Sequence, residues 1–205
     1  MRIAVLVFGR LNRCGDHYDN IIKSLGDNEV DFFVSSDNPD ESLLKEFIRL
    51  YKPKSYIHTP ITYHYDLSKY PGRRYETRID IMTRHFINKN RVFELLEQYI
   101  EKTKVEYDCV LSLRIDCVFK NSFLFDSFED NTIYIPNGFD WVENGINDQI
   151  AYGKLEVMRK YNLINPVELL EKRLSIPHPE TLNCANIKYH KLLIERPEIE
   201  YFIER

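Results

Sequence analysis

The residues best suited to chemistry stand at Leu113-Arg114-Ile115-Asp116, where an apolar run opened by Asp108 ends. A carboxylate at the mouth of a buried strand can hold a hard cation, and the cation can bridge phosphate oxygens. In extended chain positions i and i+2 point the same way, so Arg114 and Asp116 can address one ligand. The same pattern also suits a plain ion pair at a sheet edge. A second stretch, Asn147-Asp148, joins a capping amide to a carboxylate able to accept a proton from a hydroxyl. A second Arg-x-Asp, Arg78-Ile79-Asp80, sits in a helical pattern where i and i+2 do not share a face, which makes it weak as a metal motif.

These side chains need elements to hold them. Ile3 to Phe8 is a near-continuous apolar run closed by Gly9, suiting a central strand buried on both faces of a parallel sheet. Asp16 to Leu25 reads as a helix stopped by Gly26, Val30 to Ser35 as a strand, and Glu41 to Tyr51 as a helix ended by Pro53. Ser55 to His58 is a short strand. The stretch from there to Arg74, with Pro60, Pro71, Gly72, Tyr63, Tyr65 and Tyr70, reads as a long functional loop. Ile79, Met82, Phe86, Phe93, Leu96 and Ile100 keep helical period from Glu76 to about Lys102. Asp108 to Leu113 and Thr132 to Ile135 read as strands. Asn147 then caps a helix running through Asp148, Ile150, Leu155, Met158 and Tyr161, and Pro166 opens another ending near Leu174. One more helix and short strands near Leu192 and Phe202 complete the chain.

Strands alternating with helices predict a single α/β domain over residues 1–205 with a mostly parallel central sheet covered on both faces. In such folds ligands bind beyond the carboxyl ends of the strands. That directs attention to Gly9 to Arg13, Ser36 to Asp40, Arg114 to Asp116 and Asn137 to Asp148.

The composition, 43% hydrophobic and 29% charged with a net charge of -4, is that of a folded soluble protein and disfavours nucleic acid as a partner. The cluster Arg73, Arg74, Arg78, Arg84, Lys89 and Arg91 reads first as a solvated helix face and second as a phosphate site. Cys14, Cys109, Cys117 and Cys184 lack C-x-x-C spacing and read as reduced and structural, which points to a reducing compartment. The sequence shows neither a signal peptide nor a run of ~20 apolar residues, so a cytoplasmic protein without direct membrane insertion is expected.

Four segments in order, Val7 to Arg13, Val30 to Asp37, Tyr107 to Asp116 and Gly145 to Gly153, resemble small GT-A-type glycosyltransferases. That group occurs in bacterial surface-polysaccharide clusters and in large algal viruses, and the chain looks especially like the sugar-transferring domain encoded by chlorella viruses. The resemblance implies a GT-A-like, Rossmann-related fold, a UDP-sugar donor (UDP-glucose or UDP-rhamnose), a glycan acceptor on protein or lipid, a manganese or magnesium ion, and a viral protein in the host cytoplasm. In such enzymes the last carboxylate of Asp-x-Asp binds the metal, a role that falls on Asp116. Arg114 stands where the first Asp would be, and a guanidinium cannot ligate a cation. A histidine ligand from the C-terminal part is implied, with His178 preferred over His190. The resemblance sets the nucleotide over the first two strands, where Gly9 permits close approach, Arg13 meets diphosphate or base, and Asp37 accepts from ribose or uracil. Asp37 also suits a turn or cap. Asp148 takes the acceptor-side acidic position with Asn147 beside it, Arg78 or Arg84 can reach the diphosphate, and Phe139 and Trp141 can stack on a sugar. A non-catalytic nucleotide- or glycan-binding module and a sugar nucleotidyltransferase stay as alternatives. No Gly-rich phosphate loop with a following Lys supports the latter.

Overall fold

The computed structural model describes residues 1–38, 40–62, 79–140 and 144–204. A seven-stranded sheet runs in the order β3 (Ser55–His58), β2 (Glu29–Ser36), β1 (Arg2–Phe8), β4 (Cys109–Leu113), β7 (Ile150–Gly153), β6 (Thr132–Tyr134), β8 (Leu193–Glu195). Strands β1 to β4 are parallel, and β7 enters antiparallel to both β4 and β6. A separate antiparallel pair joins β5 (Cys117–Phe119) to β9 (Tyr201–Ile203).

The apolar run of β1 alternates between two layers. Ile3, Val5 and Val7 join Leu11, Ile21, Leu25, Phe47 and Tyr51, so this face is covered by α1 (Cys14–Leu25) and α2 (Glu41–Tyr51). Ala4, Leu6 and Phe8 meet Val92, Phe93 and Leu96 of the long helix α3 (Ile79–Thr103), with Met158 and Tyr161 of α4 (Leu155–Asn162) beyond. Burying each large apolar side chain contributes roughly 1.5–3 kcal/mol. Two further helices, α5 (Pro166–Glu171) and α6 (Pro179–Tyr189), complete the α3 side.

At the amino end of the sheet, buried Asp31 accepts from Arg2 at 2.9 Å and from the Tyr107 hydroxyl at 2.8 Å, with Lys54 at 3.2 Å. Burial alone would favour its neutral form, but these partners hold the carboxyl below its ordinary range. All four cysteines are buried free thiols.

The largest departure from the sequence reading follows Asn147. Residues 147 and 148 lie in a turn before β7, and the helix opens only at Leu155. Ile150, Ala151, Tyr152 and Gly153 are all buried between β4 and β6, a tertiary demand that overrides the helical spacing. Gly153 fits because a Cβ there would stand 3.1 Å from the Thr132 carbonyl oxygen. Strand β5 was not anticipated at all. Among the described residues it pairs only with β9, from Cys117–Ile203 to Phe119–Tyr201, a partner far along the chain that no local pattern announces.

Candidate active site

The carboxyl ends of β1, β2 and β4 and the start of β7 lie together at one end of the sheet. At β1, Gly9 adopts φ +90, which a side chain would strain, and its N–H donates to the Ser35 carbonyl at 2.9 Å. Among the described residues no atom outside its chain neighbours stands within 4 Å of where a Cβ would be. At β2, Asp37 accepts from Asn88 of α3 at 2.9 Å and faces Arg84 Nε at 3.5 Å. Asn88 in turn accepts from the Ser35 hydroxyl at 2.9 Å, tying the strand end to the helix. The cap of α2 is Asp40, whose carboxylate accepts from the Ser42 N–H at 2.9 Å, so Asp37 does not cap that helix.

Strand β4 sets the position of Arg114. Val110 belongs to the α3-side core, and the alternation carries position 114 to that same face. Its N–H donates to the Gln149 carbonyl at 3.0 Å, extending the β4–β7 ladder by one rung. Its guanidinium donates from Nε to Asp116 Oδ1 at 3.0 Å and from Nη2 to Asp116 Oδ2 at 2.6 Å. Burial opposes the Arg114 charge, but the bonds to Asp116 and the field of Asp148 outweigh it and raise its pKa. The i, i+2 geometry read from sequence is therefore present, in the form of a forked ion pair.

Asp148 is 6% exposed, and among the described residues nothing donates a hydrogen bond to its carboxylate. Its nearest partner is His85 Nε2 at 3.6 Å, an atom that itself has no hydrogen bond. Burial pushes the His85 pKa down to about 4, against the pull of Asp148 and with help from Lys89 and Arg114, so the ring is neutral near pH 7. Lys89 is fully buried; its Nζ donates to Asn183 Oδ1 at 2.7 Å and lies 3.4 Å from the Tyr161 ring centroid. Burial moves its pKa well below the ordinary lysine value, with Asp148 opposing. The basic residues of α3 are thus not one solvated face: Arg84 is part-exposed and Lys89 is core.

The turn before β7 is braced from several sides. Asn147 donates to the Tyr201 hydroxyl at 2.6 Å and accepts from the Gln149 N–H at 2.9 Å, while its own N–H donates to Asp140 at 2.9 Å. The Tyr201 hydroxyl donates to Gln149 Oε1 at 2.9 Å. Asn147 therefore positions the turn. Arg13 pairs with Asp16 at 2.9 Å and with Glu204 at 3.1 Å. His178 stands at the start of α6 with Nδ1 2.8 Å from Glu180 Oε2. The Glu180 carbonyl accepts from the Ile146 N–H at 3.0 Å, bringing that end of α6 toward the site, whereas His190 caps the opposite end. Phe139 stacks at a tilt 5.0 Å from Tyr201 and lines a cavity of about 520 Å³ with Gly138, Ile199 and Tyr201. Arg78, Trp141 and the tyrosine-rich loop lie outside the described residues.

No protein-family model matches the sequence, and no curated protein matches it. Solved structures do match. The galactosyltransferase LgtC, in complex with donor and acceptor sugar analogues, aligns with a TM-score of 0.53 at 14% identity, over 95% of this chain and 72% of that one. Mouse xyloside xylosyltransferase 1 in its apo form gives 0.53 at 12%, over 96% and 85%. The glycosyltransferase GlyE of Streptococcus pneumoniae TIGR4 gives 0.53 at 14%, over 97% and 46%. The chain has a GT-A-like fold.

The GT-A-like site offers a poor seat for the expected manganese or magnesium. Both Asp116 oxygens are bonded to Arg114, and a guanidinium has no lone pair for a cation. Among the described residues no three His, Cys, Asp or Glu side chains converge to hold one. Among the described residues no helix is long and apolar enough to cross a membrane.

Sequence reasoning does not single out His85, Gln149, Asn183 or Tyr201 as site residues, and Lys89, which reads there as a helix-face or phosphate-site cation, is core. Only Gln149 carried a usable signal, by adjacency to Asp148.

Proposed function

We propose that this GT-A-like protein transfers a sugar from a UDP-sugar, UDP-glucose or UDP-rhamnose, to a glycan acceptor on protein or lipid, with Asp148 at the reacting centre. The observation that carries this reading is the state of Asp148: a carboxylate 6% exposed, next to the end of β4, to which none of the described residues donates a hydrogen bond. A carboxylate with little solvent and no donor among the described residues is open to accept from a sugar hydroxyl. The likeness in fold to the galactosyltransferase LgtC, solved in complex with donor and acceptor sugar analogues, supports the same reading.

In this reading Gly9, Arg13 and Asp37 border the nucleotide, and Arg84 and Arg114 face its diphosphate. Asn147 holds the turn that presents Asp148. Phe139 and the cavity beside Tyr201 receive the acceptor. The acceptor oxygen forms a bond to the anomeric carbon as the bond to the diphosphate oxygen breaks. Asp148 either takes the hydroxyl proton or fixes a donor hydroxyl. His178, with Glu180 beside it, stands as the C-terminal histidine.

UDP release from a panel of UDP-sugars, with and without oligosaccharide acceptors, tests this. Asp148→Asn should lower kcat on the order of 10²–10⁴-fold if it is the base, with UDP still bound. Binding of UDP without turnover of any sugar would favour the non-catalytic module, and binding of no nucleotide would overturn the proposal.

A further inference from the structure

We infer that Arg114, oriented by Asp116, does the work on the leaving diphosphate that the resembled enzymes assign to a divalent cation, so that donor binding and turnover here need no metal. This rests on the nucleotide-sugar reading above and concerns the chemistry of the same site.

The donor set is the starting point. Asp116 presents both oxygens to Arg114, through Nε at 3.0 Å and Nη2 at 2.6 Å. This two-bond contact uses one edge of the guanidinium. The Nη1 donors and the second Nη2 donor have no partner among the described residues, and the side chain is 27% exposed. A guanidinium offers five N–H groups in a planar fork, and its free edge matches two phosphate oxygens. A carboxylate behind one edge and a phosphate before the other is a stable arrangement for Arg, because one charge can be bonded on two sides at once.

Placement is equally specific. Arg114 is fixed at its backbone by the bond to Gln149, at the end of the β4–β7 ladder, and at its tip by Asp116. The Asp116 carbonyl accepts from the Glu204 N–H at 3.0 Å, so the backbone of the residue that aims Arg114 is held by the β9 segment. The Arg114 N–H bonds the carbonyl of Gln149, the residue after Asp148, so the end of β4 that carries the guanidinium adjoins the segment that carries the proposed reacting centre. Arg84, one residue before His85 on α3, supplies a second cation with its Nε unbonded. As the bond from the anomeric carbon to the diphosphate oxygen breaks, the electron pair stays on that oxygen. The N–H groups of Arg114 meet the charge. Asp116 is then a positioning residue rather than a ligand.

The test measures binding of UDP and of uridine to the whole protein by titration calorimetry, in buffer with EDTA and in buffer with manganese. UDP affinity should agree within about two-fold between the two buffers. Arg114→Lys keeps the charge and loses the fork. It should weaken UDP at least ten-fold and leave uridine, which has no diphosphate, unchanged. Asp116→Asn should weaken UDP less than Arg114→Lys does, with or without manganese. UDP binding that appears only with manganese would overturn the inference while leaving the proposed function intact, and so would equal losses of UDP and uridine in Arg114→Lys. Absence of UDP binding in both buffers would instead remove the nucleotide-sugar reading itself. The comparison of buffers uses the unsubstituted chain, so it decides even if a variant fails to fold.

Discussion

His85 Nε2 lies 3.6 Å from Asp148 Oδ2, a part-buried ring that stays neutral beside a buried carboxylate. With its folded pKa lowered to about 4 from 6.5, the unfolded chain binds a proton here that the folded chain does not, across that interval. Stability is therefore fully present above about pH 6.5 and is lost as pH falls toward 4, by about 3 kcal/mol for this group. Urea midpoints measured from pH 7.5 to 4 should fall accordingly, and the slope should flatten in His85→Gln. An equal slope in the variant would assign the acid sensitivity to other groups.

The buried amine of Lys89 and the amide of Asn183 should behave as a unit. Lys89→Met leaves Asn183 Oδ1 without its donor and should cost about 1–3 kcal/mol. Asn183 Nδ2 already lacks a partner, so adding Asn183→Leu should recover much of that loss. A double variant no more stable than the single, by denaturant melts, would show that the pair is not coupled.

Tyr201→Phe removes one hydroxyl that serves two amides, Asn147 and Gln149, and should destabilise by about 1–3 kcal/mol. Because those amides brace the turn carrying Asp148, kcat for sugar transfer should fall further than the change in KM. A variant with unchanged stability and turnover would place the 147–149 turn under other control.

Gly153→Ala puts a methyl 3.1 Å from a backbone oxygen of the neighbouring strand, which cannot move aside as a side chain could. A loss of about 1–3 kcal/mol is expected from thermal melts. No loss would mean that β6 and β7 separate without penalty.

Much of the architecture could be read before any coordinates. The unbroken apolar run of β1, the run of β4 and the long period of α3 each have one physical cause, burial against a layer. The rule that ligands sit beyond strand ends correctly gathered Gly9, Asp37, Arg114, Asp116 and Asp148 at one end. What escaped were groups whose character is set by tertiary burial. Lys89 looks like any helix-surface lysine in the sequence, and nothing nearby marks it as 0% exposed. His85 lies between Arg84 and Phe86 with no motif around it. Tyr201 reaches the turn from 54 residues beyond Asn147, a distance that no local pattern spans. At β7 the residues kept a helical spacing while the sheet required a strand, and the compact Gly153 was the clue that spacing concealed.

One side of the site is delivered by the segment that follows the main sheet. Tyr201 and Glu204 come with β9, which belongs to the two-stranded ribbon and not to the seven strands that form the frame. Ile199 and Tyr201 nonetheless share one core with β1 and β4, so loosening this ribbon would cost the frame its packing as well as the 147–149 segment its brace.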